Sequence, residues 1–216
     1  MRYCIMCGNN YPSWKYPRHL TKIYDETLVE RTIRLLIQAG VDDKDILVTT
    51  TENSIAEFRD VVPNYVVLNN NEGKLEGYWV ECFHGFNSPC TYICGDVVFS
   101  PDAIKKIVET ETDDIEFFAS APPFAKNYLR EWAEPFAFKV VNQTHLKDAQ
   151  FQTVLLAKQG KFKRRPSAWE FWQIVKGTPI NQIDYTNYTV INDYTCDIDT
   201  PEDIKQFEGG SEWHTT

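Results

Sequence analysis

Thr91-Tyr92-Ile93-Cys94-Gly95-Asp96-Val97-Val98-Phe99-Ser100-Pro101-Asp102 holds a strand, its stop and a helix start in one short stretch. Thr91 to Cys94 is an apolar run of strand length, and Gly95-Asp96 ends it. Ser100-Pro101-Asp102 then opens a helix. A serine at the N-cap accepts a backbone N–H that would otherwise lack a partner, and a proline in the first turn loses nothing by having no N–H of its own. Ile115 to Ala119 supplies the next strand, so the stretch reads as one β-α-β unit.

The same rhythm runs upstream. Tyr3 to Cys7 is an apolar run ending at Gly8, and a polar, proline-containing loop follows from Asn9 to Arg18. Thr27-x-x-Glu30 has the form of a capping box, with Leu28, Thr32, Leu35, Leu36 and Ala39 at helical spacing behind it and Gly40 at the C′ position. Ile46 to Thr49 is a strand, Ser54-x-x-Glu57 starts a short helix, and Tyr65 to Leu68 has the composition of a buried strand, ended by Asn69-Asn70-Asn71. Leu75 to Phe83 is expected to be helical.

Beyond residue 120 the alternation is less regular. Strands are expected at Phe136–Val141 and Tyr188–Ile191, helices at His145–Lys158 and Ser167–Lys176, and a basic loop at Lys161–Arg165. Thr200-Pro201-Glu202-Asp203 starts the last helix, with acids on its first turn. Strands alternating with helices predict an α/β protein. We expect a single-domain three-layer α/β/α sandwich with a mainly parallel sheet and right-handed crossovers. The domain is expected to span 1–208, in halves of about 1–120 and 121–208, with 209–216 as a flexible tail.

Composition bounds the function. The chain has 216 residues, of which 43% are hydrophobic, including 13 Phe, 11 Tyr and 6 Trp, enough for a sizeable core and too apolar for general disorder. It has no apolar run long enough to cross a membrane as a helix. Met1 to Met6 turns polar too early for a signal peptide and reads as a first strand. The net charge of −9 gives no general attraction to nucleic acid or anionic membrane, and neither is expected as a partner. A phosphorylated ligand therefore needs a local basic site or a metal ion. The expected location is cytoplasmic. The six cysteines are then expected as reduced thiols. Cys4-x-x-Cys7 has no matching half, since Cys90 and Cys94 are differently spaced and no His pair is near, which favours buried thiols over zinc.

In an open parallel sheet, ligands bind beyond the carboxyl ends of the strands. Three features fall there: the loop from Cys7 to Leu20, Gly95-Asp96, and Asp197-Ile198-Asp199. In an extended segment Asp197 and Asp199 face the same way. Bringing Asp96 beside them without a cation is unfavourable, because like charges raise each other's pKa. Mg²⁺ relieves that repulsion, taking one or two carboxylates and completing its octahedron with phosphate and water. The alternative is that these acids only cap turns and helices. The first loop is neither a dinucleotide fingerprint nor a P-loop, but it offers Gly8, backbone N–H groups, the cations Lys15 and Arg18, and His19.

Taken together, these segments resemble the nucleotidyltransferase family of the GT-A fold, the pyrophosphorylase-like and MobA-like enzymes that join an NTP to a sugar phosphate or alcohol phosphate. The resemblance rests on strand one, its Gly-containing loop with Pro17-Arg18-His19-Leu20, and the helix carrying Glu26-Thr27-Leu28-Val29-Glu30-Arg31-Thr32-Ile33. Gly95-Asp96-Val97-Val98-Phe99 resembles that family's central Gly-Asp motif. Asp197-Ile198-Asp199-Thr200-Pro201-Glu202-Asp203 resembles its C-terminal Ile-Asp-Thr-Pro-Glu-Asp motif.

The resemblance implies that Asp96 and Asp199, with Asp197 beside them, hold Mg²⁺. It implies that Gly8, Asn9, Asn10, Arg18 and Gly95 approach the nucleotide, and that Asn71 or a neighbour in the 69–73 turn lies by the base or ribose. Arg18, Lys15 and Asp96 would carry catalysis, the partners being a nucleotide and a small phosphorylated acceptor. Two departures stand out. The first loop has only Gly8 where the family is glycine-rich, and Arg18 stands in place of a lysine. They keep open a glycosyltransferase using a sugar nucleotide, and a nucleotide-binding module without turnover. A glycosyltransferase normally has Asp-x-Asp at the central strand end, where this chain has Gly95-Asp96-Val97.

Two further features have a functional and a bland reading each. Trp169, Phe171 and Trp172 either stack on an acceptor or form core. Lys161, Lys163, Arg164 and Arg165 either clamp a phosphate or line a solvated loop. His84 beside Cys82 reads as a helix-end residue, and no Gly-x-Ser-x-Gly elbow exists for nucleophilic catalysis.

Overall fold

Along β1 (Arg2–Met6) the side chains part by strict alternation: Tyr3 and Ile5 join one hydrophobic cluster, Cys4 and Met6 another. A strand that buries both sides needs cover on both, and that requirement sets the three layers. The computed structural model describes residues 1–8, 14–120, 133–181 and 183–208. The hairpin β2 (Lys22–Ile23) and β3 (Glu26–Thr27) leads into α1 (Leu28–Gln38). The Thr27 hydroxyl accepts from the Glu30 N–H at 3.2 Å, while the Glu30 carboxylate accepts from the Thr27 N–H at 2.8 Å, so the expected capping box is present.

The chain continues through β4 (Ile46–Thr50), α2 (Ile55–Val61), β5 (Val66–Leu68), β6 (Cys90–Cys94) and β7 (Val97–Val98). Next come α3 (Pro101–Glu109), β8 (Ile115–Ala119), β9 (Pro135–Val140), α4 (Gln143–Lys158) and α5 (Ala168–Lys176). It closes with β10 (Thr189–Val190), β11 (Cys196–Asp197) and α6 (Lys205–Glu208). Ser100 caps α3 as expected, its hydroxyl accepting from the Ala103 N–H at 2.9 Å.

Seven strands form one sheet in the order β10-β8-β9-β6-β1-β4-β5. Within it β9 runs antiparallel to β6 and β8, and the other pairings are parallel. Helices α1, α2 and α3 cover one face through Val29, Ile33, Phe58, Ile104 and Ile107. Helices α4 and α5 cover the other through Leu146, Ala149, Phe171 and Trp172. The protein is a single α/β domain with a mainly parallel mixed sheet, as the alternation predicts. No helix among the described residues is long and apolar enough to cross a membrane.

Two expectations are corrected. Tyr65 to Leu68 is not a buried strand: β5 lies at the sheet edge, with Val67 39% and Leu68 44% exposed. Composition shows an apolar run but not its place in the strand order. Leu75 to Phe83 is not a helix; its only helical piece is a 3₁₀ turn at Trp79–Cys82. Glu76 and Gly77 have positive φ of 59° and 72°, which breaks a right-handed helix. The Glu81 carboxylate accepts the N–H groups of Gly73, Leu75 and Gly77, so a side chain does what helical carbonyls would have done. The last helix begins as a 3₁₀ turn, Pro201–Ile204, before α6. Residues 209–216, expected as the tail, lie outside the described residues.

Candidate active site at the carboxyl rim of the sheet

β1 and β6 are neighbours, and their carboxyl ends meet closely. The Gly95 N–H donates to the Met6 carbonyl at 3.0 Å. A Cβ on Gly95 would lie 2.5 Å from the Cys7 Sγ, 2.8 Å from the Met6 carbonyl oxygen and 3.2 Å from the His19 ring. Only glycine fits, and its smallness brings the first loop hard against the turn that carries Asp96.

The C-terminal motif arrives by a short antiparallel pairing, Asp197 opposite Val97 and Cys196 opposite Val98. The Ile198 N–H then donates to the Asp96 carbonyl at 2.8 Å. Strand geometry ends at Asp197, and the chain turns into the cap of the last helix. There the Asp203 carboxylate accepts the N–H groups of Asp199 and Thr200 at 3.0 and 2.8 Å. Asp197 is buried opposite Val97, whereas the Asp199 side chain is 37% exposed at the rim.

Arg18 lies at the start of a 3₁₀ turn, Arg18–Leu20, that precedes the β2–β3 hairpin. Its guanidinium spans the two acids. Nη2 pairs with Asp96 Oδ2, and Nη1 donates to Asp199 Oδ1 at 3.0 Å. The Arg18 side chain is only 9% exposed, so these contacts are shielded from water and ions far better than a surface pair. Among the described residues, this one guanidinium faces two carboxylates. Trp14 fastens the same loop from the other side, its indole N–H donating to the Asp199 carbonyl at 2.8 Å.

Beside Arg18 the His19 imidazole is 2% exposed. Burial pushes its pKa down to about 4, with Arg18 reinforcing the shift and Asp96 opposing it, so the ring is neutral at pH 7. Burial also raises the Cys7 and Cys94 thiols, with Asp96 adding to both. They are poor nucleophiles, and the Cys7 sulfur lies against Gly95.

The remaining expected residues are placed unevenly. Lys15 is exposed on the loop, and Gly8 is exposed where β1 leaves the sheet, a Cβ there meeting no described atom within 4 Å. Asn9 and Asn10 lie outside the described residues. Asn71 stands at the rim after β5 and is half-buried, its Nδ2 donating to the Phe83 carbonyl at 2.6 Å. Asn69 and Asn70 bond in the same way to the carbonyls of Glu81 and Gly85, so the asparagine run clasps the following loop. The roles of Trp14 and Asp203 escape a residue-by-residue reading. Their one sequence signal is the spacing of Asp203 three residues after Thr200.

The aromatic helix belongs to the core, and the two arginines of the basic loop are engaged within the chain. Trp169, Phe171 and Trp172 are buried in the core against Phe117, Phe138 and Phe83, and no stacking face is open. Arg164 pairs with Glu170 at 2.6 Å. Arg165 donates to the Gly77 carbonyl and stacks over Tyr78 at 5.6 Å, so both arginines brace the fold.

Among the described residues no three or more His, Cys, Asp and Glu side chains are grouped so that they could hold a metal ion by themselves. The donor set at the rim is thus a pair of carboxylates rather than a closed cage. Two rim carboxylates fit a magnesium ion that draws its remaining ligands from phosphate and water, and do not fit structural zinc or calcium.

Solved structures align with nearly the whole chain. One is the inositol-1-phosphate CTP transferase from T. maritima, with a TM-score of 0.58 and 14% identity, covering 97% of this chain and 96% of that one. The fold is that of the nucleotidyltransferases. Molybdopterin-guanine dinucleotide biosynthesis protein A from Archaeoglobus fulgidus aligns with a TM-score of 0.56 and 11% identity over 96% and 97% of the two chains. HddC from Yersinia pseudotuberculosis complexed with GMP-PN aligns with a TM-score of 0.52 and 14% identity over 96% and 98%. No protein-family model matches the sequence, and no curated protein matches it either. At these identities the likeness speaks for the nucleotidyltransferase-like fold, and the chemistry must be argued from the rim.

Proposed function

We propose that the protein is a metal-dependent nucleotidyltransferase that joins an NTP to a sugar phosphate or alcohol phosphate and releases pyrophosphate. One observation carries the reading: Arg18, Asp96 and Asp199, from three distant segments, meet at the carboxyl rim of a nucleotidyltransferase-like sheet. Acids capping turns for stability alone have no need to converge on one buried cation there.

In the proposed reaction an oxygen of the acceptor phosphate attacks the α-phosphorus in line. The bond to the α–β bridging oxygen breaks, and its electron pair leaves with pyrophosphate. Positioning and charge neutralisation do the work, and no covalent enzyme intermediate forms. Asp96 and Asp199 would hold Mg²⁺, with Asp197 as a supporting charge behind them. Bound there, magnesium supplies charge neutralisation at the α-phosphate.

The chain's own residues do the rest. Gly95 holds Asp96 against β1, and Trp14 and Asp203 hold Asp199 through its backbone. Arg18 and Lys15 face the charge that grows on the departing pyrophosphate. Gly8 would lie by the nucleotide and Asn71 by the base or ribose; we propose binding roles for Asn9 and Asn10 as well. Residues 1–120 would then form the nucleotide half, and 121–208 the acceptor half. The base stays open, since the neighbours' names include both CTP and guanine dinucleotide.

The test is pyrophosphate release by the purified chain, with each of the four NTPs against a panel of sugar and alcohol phosphates in Mg²⁺. Turnover with one pairing is expected. Release of UDP or CMP from a sugar nucleotide, with no use of free NTP, would replace this reading with glycosyl transfer.

A further inference from the structure

The Arg18 guanidinium sits between the same two carboxylates that a metal ion would need, and this has a consequence for binding order. We propose that Arg18 is a resident counter-ion. It closes the aspartate pair to free divalent metal, and it leaves only when a polyphosphate ligand offers it new anionic oxygens. The proposal deepens the reading above and rests on Asp96 and Asp199 being the metal ligands.

The argument is electrostatic and geometric. Two carboxylates without a cation repel, and the chain relieves this with its own guanidinium. A guanidinium is a broad planar fork and Mg²⁺ is a compact ion that gives up its water reluctantly, so the two cannot occupy the same gap. A metal arriving alone must displace a charge-assisted pair already shielded from solvent without itself offering the fork an acceptor. A metal arriving with a polyphosphate does not, because the phosphate oxygens accept the same fork.

The anchoring of the parts says which one moves. Asp96 is set by the Ile198 N–H on its own carbonyl and by the tight turn at Gly95. Asp199 is set by Trp14 on its carbonyl and Asp203 on its N–H. Both acids are held through the backbone, so their carboxylates stay at the rim when the guanidinium swings away. Metal and polyphosphate binding are then coupled favourably, and the coupling is reciprocal.

The experiment measures Mn²⁺ binding by the loss of the free-ion EPR signal, without nucleotide, for the whole chain and for Arg18→Met. The variant keeps the apolar stem and removes the charge. It is expected to bind Mn²⁺ roughly tenfold or more tightly than the wild type, within the usual span of such couplings. Its melting temperature is expected to be low without metal and to recover with Mn²⁺, while the wild type barely responds to Mn²⁺ alone. Arg18→Lys keeps a charge that cannot span both acids and should bind Mn²⁺ with intermediate affinity, which keeps the test decisive if Arg18→Met folds poorly. Adding Asp96→Asn to either variant should abolish the gain. Equal Mn²⁺ affinity in wild type and variants would overturn the counter-ion role and leave the metal site standing. Failure of every form to bind Mn²⁺ would overturn the metal site and the inference with it.

Discussion

The indole N–H of Trp14 donates to the carbonyl of Asp199 at 2.8 Å across 185 residues of sequence. With Arg18 on the carboxylate of the same aspartate, the first loop and the C-terminal motif are locked together at two atoms of one residue. Trp14→Phe keeps most of the ring and removes the donor. It should lower stability by about 1 kcal/mol, the usual net worth of one such bond. Trp14→Ala also empties a buried site and should lose about 3 kcal/mol or more. Urea denaturation of both variants measures the difference.

Gly95→Ala should be strongly destabilising, by about 1–3 kcal/mol, because the new methyl meets the Met6 carbonyl as well as the Cys7 sulfur. Cys7→Ala removes the sulfur and leaves the carbonyl. The double variant should therefore recover only part of the loss. Full recovery in a double-mutant cycle would show that the sulfur alone makes the site exclusive to glycine.

His19 makes stability depend on pH. Its folded pKa of about 4 lies below the ordinary value of 6.5, so between these limits the unfolded chain binds the extra proton. Stability is then fully present above pH 6.5 and falls as the pH drops towards 4, by roughly 3 kcal/mol in all from this group. Carboxylates titrate in the lower part of the same window. The measurement is therefore the difference between wild type and His19→Gln in chemical denaturation at pH 7.5, 6, 5 and 4.5. The wild type should lose more with each step down; parallel curves would remove the buried neutral imidazole.

Asp96→Asn keeps the shape of the side chain and removes one of the two charges facing Arg18. Transfer activity should fall by about 10²-fold or more, as when a group that stabilises transition-state charge is lost. Circular dichroism should be unchanged, because the backbone bonds of this turn do not involve the carboxylate. A fall in KM alone, with kcat intact, would contradict the assignment.

The elements were readable where local chemistry decides them. Thr27-x-x-Glu30 and Ser100-Pro101 cap helices through atoms three residues away, so spacing alone exposes them. The strands Ile115–Ala119 and Cys90–Cys94 are buried on both faces and are largely apolar, interrupted only by Glu116 and Thr91. Leu75–Phe83 was misread because its N–H groups are taken by the Glu81 side chain, which periodicity does not register. The expected shared face of Asp197 and Asp199 relied on a strand that stops at Asp197. The sequence pointed to Asp96 and Asp199 converging and to Arg18 acting near them, but not to the Arg18 guanidinium bridging the two carboxylates.

Local residue patterns decided that this chain builds an α/β sandwich, where its helices start and which loops face the rim. Capping, periodicity and burial act over a few neighbours and are written in order along the chain. Only the folded molecule decided that Arg18 lies between Asp96 and Asp199, that Trp14 holds the second of them, and that the tryptophan-bearing helix is core rather than pocket. Those contacts depend on strand order and on the pairing of β11 with β7, and long-range pairing is set by the packing of the whole sheet.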